Sequence, residues 1–260
     1  MHGGKNIHEV KPMALTVFEF AGHASSEYGV YATLLPMVAA EERQEFLTAV
    51  GRAGYIRKVE GPEVFEPMDL SIDCVIQDIS RLSAMVGWLQ GYGELRLPNR
   101  TGGHYLASVT GQIDLARIIA ARGDRRFTVV FKAQPFWYHD NVTDITISPS
   151  AGSATAIINP GTASSAPKIA ITGTGSVVLT VAGGTGTQVV SLTDLDTGIV
   201  LDAELQDALD LNEAALLNDH MSGDFPTLPP GRFTIAWEKD ATAESGSVTK
   251  IKITPRWRDR

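Results

Sequence analysis

The stretch "RRFTVVFKAQPFWYHD", residues 125–140, begins as a strand and ends as something else. Phe127, Val129 and Phe131 alternate with Thr128, Val130 and Lys132, the pattern of a strand with one buried face. Pro135 has no N–H to give a ladder, so the strand stops before it. Phe136, Trp137 and Tyr138 follow at the point where alternation breaks, and three consecutive aromatic side chains need apolar surroundings. This arrangement predicts a seam at Pro135, Phe136, Trp137 and Tyr138, where the last strand of one domain ends and a second core begins. The expected domains are residues 1–138 and 139–260.

Composition changes at the same place. Before it, "LTVFEF" (15–20), "MDLSIDCVIQ" (68–77), "ELRLP" (94–98), "YLASVTG" (105–111) and "RFTVVFKA" (126–133) alternate as strands do. Among them lies one strong helix: Leu82, Met85, Val86 and Leu89 share a face, Ser80 is the expected N-cap and Gly91 the stop. Residues 41–58 could start as a helix, but Gly51 and Gly54 break it, and a long connection fits as well. After the seam, short β-branched runs separated by Gly, Pro, Asn and Ser predict a β-sandwich. Residues 201–221 are good helix formers inside that all-β region, where propensity is a weak guide. The expected fold is mainly β with one or two helices.

The 260 residues carry a formal charge of −8, which disfavours a surface that grips nucleic acid through its phosphates, though a channel that DNA slides through would favour this sign. The single Cys74, in the strand-like "DLSIDCVI", reads as a buried, inert thiol. No apolar run approaches the ~20 residues of a membrane span, and no signal-peptide pattern opens the chain. Cytoplasmic synthesis and no membrane association are the resulting expectations.

Motifs for chemistry are weak. Asp196-Thr197-Gly198 matches the tripeptide of aspartic proteases, but one copy cannot supply two carboxylates sharing a proton, and a hairpin turn is the simpler reading. The glycine-rich pieces at 173–178 and 183–188 lack the lysine of a phosphate loop and precede strands, so they read as turns. The six histidines, His2 and His8 among them, show no HxxxH or HxH pair. Neither catalytic residue, metal nor cofactor is expected.

An ordered series of small motifs is more informative: "YGVYATLLP" (28–36), "GRAGYI" (51–56), "WLQGYGELRL" (88–97), "FTVVFKAQPFWY" (127–138), "NPGTASSAPKIAITGTG" (159–175), "MSGDFPTLPPGRFTI" (221–235) and "KITPRWR" (252–258). In this order the chain resembles the distal tail protein (Dit) family of long-tailed, siphovirus-type bacteriophages. Its motif positions fall here at Asn159, Gly161, Thr162, Pro167 and Ile169, then at Gly223, Phe225, Pro226, Leu228, Pro230 and Gly231. Arg232 departs from the asparagine frequent there.

The resemblance implies an N-terminal β-rich domain that closes into a six-membered ring and a C-terminal galectin-like sandwich outside it. It also implies partners: further copies of the chain, the tail tube protein, the tail-tip hub protein and receptor-binding proteins, with DNA only in transit. The place implied is the tail tip of a virion assembled in the host cytoplasm. It further implies that 201–221 is mostly strand and turn. The alternative reading is a carbohydrate-binding module for host adsorption. Against it, residues 141–231 contain Phe225 as their sole aromatic side chain to stack on a sugar.

Overall fold

The computed structural model describes residues 15–61, 63–120, 125–184 and 186–260. They divide into two compact units, one of residues 15–41 with Glu66–Pro135, the other of Glu42–Phe65 with Phe136–Arg260. The fold is mainly β. The strands up to Pro135 are β1 (Glu19–Phe20), β2 (His23–Ala24), β3 (Val30–Leu34), β4 (Gln44–Leu47), β5 (Ile56–Val59), β6 (Met68–Ile76), β7 (Tyr92–Leu97), β8 (Arg100–Thr110) and β9 (Arg125–Ala133), with helices α1 (Leu82–Trp88) and α2 (Leu115–Ala120).

The first unit is an antiparallel sheet in the order β2-β1-β7-β8-β9-β6-β3. Its centre is the pairing of β6 with β9, in register from Met68 opposite Ala133 to Ile76 opposite Arg125. As the alternation requires, Phe127, Val129, Phe131 and Ala133 are buried while Thr128 and Lys132 face out. Phe18, Phe20 and Phe131 pack edge to face within 6.2 Å, and Trp88 of α1 joins them by donating its Nε1–H to the Phe20 carbonyl at 2.9 Å. Tyr28 stacks on Trp88 at 4.6 Å with the ring planes 5° apart. Helix α1, with Met85 and Trp88, and the capping residue Leu89 thus cover an aromatic face.

Local signals around α1 differ from expectation. Asp78, rather than Ser80, makes the first cap: its carboxylate accepts from Ser80 N at 3.0 Å and Ser80 Oγ at 2.6 Å, setting a 3-10 turn, Ile79–Arg81, ahead of the helix. The charged carboxylate two residues earlier takes up both the N–H and the hydroxyl of Ser80, so the first turn starts at Asp78 and the serine lies within it. The short helix α2, which buries Ile118, had no clear signal, because six residues are too few to establish a period. Residues 41–58 are neither helix nor open connection: β4 and β5 pair from Gln44 opposite Val59 to Leu47 opposite Ile56. Gly51 and Gly54, both at positive φ, lie in the turn region between them.

The second unit continues with β10 (Trp137–His139), β11 (Ile145–Ile147), β12 (Thr155–Asn159), β13 (Lys168–Gly183), β14 (Gly186–Leu195), β15 (Gly198–Asp202), β16 (Asp207–Leu209), β17 (Met221–Ser222), β18 (Gly231–Lys239), β19 (Gly246–Thr254) and β20 (Arg258–Asp259). Its organiser is β13, 16 residues long. The N-terminal half of β13 pairs with β15 and β19, and its C-terminal half with β14 and β18. Two antiparallel arrays therefore share one strand: β11-β19-β13-β15-β16 and β12-β18-β13-β14-β17. Ile169, Ile171, Val177, Leu179 and Val181 from both halves enter a single core with Phe233, Ile235, Ile251 and Ile253.

One strand can serve both arrays because it bends at "GTGS". The registers shift at Thr172/Gly173 and Gly175/Val177, and Gly175 has φ +75, where a Cβ would lie 2.4 Å from the Ser245 carbonyl oxygen. The first glycine-rich piece is thus a bend inside a strand, not the expected turn. The second does connect β13 to β14. Asp196-Thr197-Gly198 likewise makes no hairpin, since β14 and β15 do not pair with each other: they follow one another along the same edge of β13.

Residues 201–221 hold strand, turns and one 3-10 turn, because acidic side chains intercept the N–H groups a helix would need. Asp202 accepts from Glu204 N and Leu205 N, and Asp210 from Ala214 N and Ala215 N.

Cys74 is fully buried beside Asp73, and burial, then that neighbouring charge, pushes its thiol up to about 12. The folded protein should therefore resist thiol reagents at pH 8 and react stoichiometrically once denatured, as a colorimetric thiol titration would record.

Candidate functional site

The motif residues predicted from sequence fall largely in the second unit, where several converge on the C-terminal residues. Asn159 ends β12 opposite Gly231, the first residue of β18, so motifs some seventy residues apart start from one pair. The Asn159 side chain is buried and fully used. Its Nδ2 donates to the carbonyls of Ala163 at 3.2 Å and Leu228 at 3.0 Å, and its Oδ1 accepts from Gly161 N at 2.8 Å. Ser165 and Leu228 then exchange backbone hydrogen bonds, each 3.0 Å. One asparagine thereby shapes the loop after β12 and fastens it to the strand-like run before β18.

The loop receives the C-terminal segment. At Gly161 a Cβ would stand 2.3 Å from the Arg258 carbonyl oxygen, so only glycine admits this approach. Ala163 N donates to that carbonyl at 3.3 Å, Thr162 N to Asp259 Oδ1 at 2.8 Å, and Arg260 N to Thr162 Oγ1 at 3.0 Å. On its other side β20 pairs with β10, Trp137 opposite Asp259 and Tyr138 opposite Arg258. The aromatic triplet is thus placed in the second unit: Phe136 and Trp137 are buried, and Tyr138 is half-buried. The Arg258 guanidinium lies 3.8 Å from the Phe136 ring centroid, and Phe136 meets Phe65 edge to face at 5.7 Å.

Carboxylates hold the remaining arginines. Arg256 forms a two-pronged pair with buried Asp202 at 2.7 and 2.9 Å, with Glu204 at 3.2 Å beside it. Burial alone would push the Asp202 carboxyl up; the Arg256 hydrogen bonds, the Leu205 N–H, the Arg256 charge and the Glu204 N–H outweigh it and hold the group below its ordinary range. Asp259 behaves alike: burial opposes, but the His139 ring at 2.8 Å and Thr162 N lower it. Glu63 is also lowered, against burial, by Arg260 at 2.6 Å and Ser164 N at 2.9 Å. Trp257 is buried near Phe233. Sequence reasoning missed Asp202, Glu63 and Asp259, which nothing in their local sequence distinguishes from surface acids.

Other motif positions lie apart from this cluster. Pro167 precedes β13 and accepts from Ala203 N at 3.0 Å. Gly223, at φ +108, packs on the Val189 carbonyl, Phe225 packs half-buried on the core, and Pro226 is buried. His2 and His8 lie outside the described residues. Among the described residues, no group of three His, Cys, Asp or Glu side chains could hold a metal ion, and no helix is long and apolar enough to cross a membrane. The arrangement is chemically a clamp: each charged group named above is satisfied by a partner within the unit.

Gly161→Ala should destabilise the protein by about 3 kcal/mol, whereas Gly184→Ala, with open space at its Cβ, should stay within about 0.5 kcal/mol; urea unfolding measures both. Because Asp202, Asp259 and Glu63 are lowered in the folded state, their stabilisation is present above about pH 4–5 and is lost as pH falls through the folded values. Asp202→Asn should cost about 3 kcal/mol at neutral pH and flatten the fall in Tm below about pH 4; calorimetry across pH 2–7 reads both effects.

No family model matches the chain, and no curated protein sequence matches it. Among solved structures, the chain is similar to the Dit protein (gp 19.1) of phage SPP1, which is described as a paradigm of the hub adsorption apparatus in phages infecting Gram-positive bacteria. The TM-score is 0.66 at 14% identity, and the match covers 93% of this chain and 98% of the other. At that identity the likeness establishes a shared fold over nearly the whole of both chains.

Proposed function

We propose that a protein with this fold is a structural subunit of a phage or prophage tail tip, within an adsorption apparatus. The observation that carries the reading is the near-complete correspondence, end to end, with the Dit fold, in a chain whose motif order independently resembles that family. A domain shared by chance would match in part, whereas here both units take part. In this proposal residues 1–138 build a ring, six copies closing around a channel, and residues 139–260 form a galectin-like sandwich on its outside. The ring joins the tail tube to the tip hub, receptor-binding proteins attach at the periphery, and DNA passes through without lasting contact. The working place is the virion, after assembly in a host cytoplasm.

The physical chemistry agrees with such a role. The charged groups of the candidate site are paired with one another instead of being directed at a substrate. With a net charge of −8 per chain, the lumen of such a ring is expected to be acidic or neutral, so that it repels phosphates and lets DNA slide. Negative-stain microscopy of the purified full-length protein should show six-fold rings with an open centre. A monomer at tens of micromolar, or tight salt-sensitive DNA binding by the rings, would overturn the reading.

A further inference from the structure

The hairpin of β4 and β5 is a two-stranded sheet with apolar side chains on both faces and solvent around them. Phe46 and Val59 share one face with Arg57, and Leu47 and Ile56 share the other with Glu45 and Lys58. All eight strand residues except Gln44 are exposed. Between the strands Val50 is fully exposed, at 108%, and Tyr55, 60% exposed, meets Phe46 edge to face at 4.7 Å. A lone two-stranded hairpin is marginal in water, and exposed apolar side chains gathered this closely mark a surface that another molecule covers.

The base of the hairpin is held firmly. Glu42 bridges Phe65, Phe65 packs on Phe136, and Glu63 binds both Ser164 N and Arg260. Arg57 pairs with Glu42 of this base, and further out Lys58 pairs across the strands with Glu45 at 3.7 Å; these ion pairs support the register without covering the faces of the arm.

Charge indicates what covers the arm. Residues 42–60 hold four cations (Arg43, Arg52, Arg57, Lys58) and three acids (Glu42, Glu45, Glu60), a net +1, so the other residues of a chain of −8 carry −9. Between Phe46 and Ile56 there is no acid, and Arg52 stands in the turn. An apolar, cationic arm on an acidic body complements a second copy of the same body, in a head-to-tail contact that closes into a ring when the rotation allows. We infer that the β4–β5 hairpin is the self-association arm of this protein and that it seats its Val50 and Tyr55 region on the net-acidic body of a neighbouring copy. This inference rests on the ring reading above and names the element that would make the contact.

Two measurements on the full-length protein test it. With Val50→Asp and Tyr55→Asp combined, mass photometry should show a dissociation constant raised about 30-fold or more, with the circular dichroism spectrum and Tm unchanged because both side chains are exposed. Since Cys74 is buried, Val50→Cys carries the one reactive thiol; a benzophenone maleimide placed there should, on illumination, give chain-to-chain crosslinks at acidic surface segments. Unchanged rings in the double variant, or crosslinks confined within one chain, would overturn the arm while leaving the ring reading intact. A wild-type protein that is monomeric throughout would overturn both.

Discussion

Much of the second unit rests on the placement of one buried carboxamide. Asn159 uses both hydrogens and its oxygen on backbone groups of the same loop and of Leu228. An unsatisfied buried amide costs far more than a satisfied one contributes, so the loop has a single conformation in which the bookkeeping closes. That conformation presents Gly161 to the Arg258 carbonyl with no side chain between them. Strand β20 then fits between the loop and β10, and the arginines on either side of Trp257 reach Asp202 and stack on Phe136. Glycine, asparagine and arginine here do what a larger apolar contact does elsewhere: they fix how closely two backbones approach.

The second organising constraint is the long strand β13. A strand that serves two arrays must bend sharply without losing its ladder for more than a residue or two, and "GTGS" provides this through positive φ at Gly175 and two register shifts. β14 and β15 on one side, and β18 and β19 on the other, each exchange places opposite the same bend. The position of the glycines in β13 therefore sets where four other strands begin or end.

The sequence made the strands and the aromatic break after β9 legible because alternation is a local property of buried faces. Phe127, Val129 and Phe131 carry their orientation in their spacing, and Met85 with Leu89 carries that of α1. What stayed hidden depends on partners far along the chain. The "GTG" run looks like a turn until a strand is known to lie on each side of it, and Asp196-Thr197-Gly198 looks like a hairpin until β15 is seen to continue the edge of β13. Residues 42–65 gave no period because the arm has no buried face, so neither of its strands shows the alternation that burial imposes. In the candidate site, Asn159 and Gly161 stood out through a motif resemblance. Asp202, Glu63 and Asp259 did not, since a carboxylate becomes a clamp only when a guanidinium or imidazole arrives from elsewhere in the fold.

The distances along the chain at this clamp have a kinetic meaning. Arg260 meets Glu63 across a separation of 197 residues, Thr162 meets Asp259 across 97, and His139 meets Asp259 across 120. Contacts of such separation form late, because closing a long loop costs chain entropy before any contact rewards it. A ribosome delivers residues 256–260 after every partner they bind, so the contacts they add to the loop after β12 and to the base of the β4–β5 arm form only once those residues have been made. Of the contacts at the base of the arm, the Arg260–Glu63 pair is therefore the last that synthesis makes possible, after Phe65 can already meet Phe136 and Glu63 can already accept from Ser164 N.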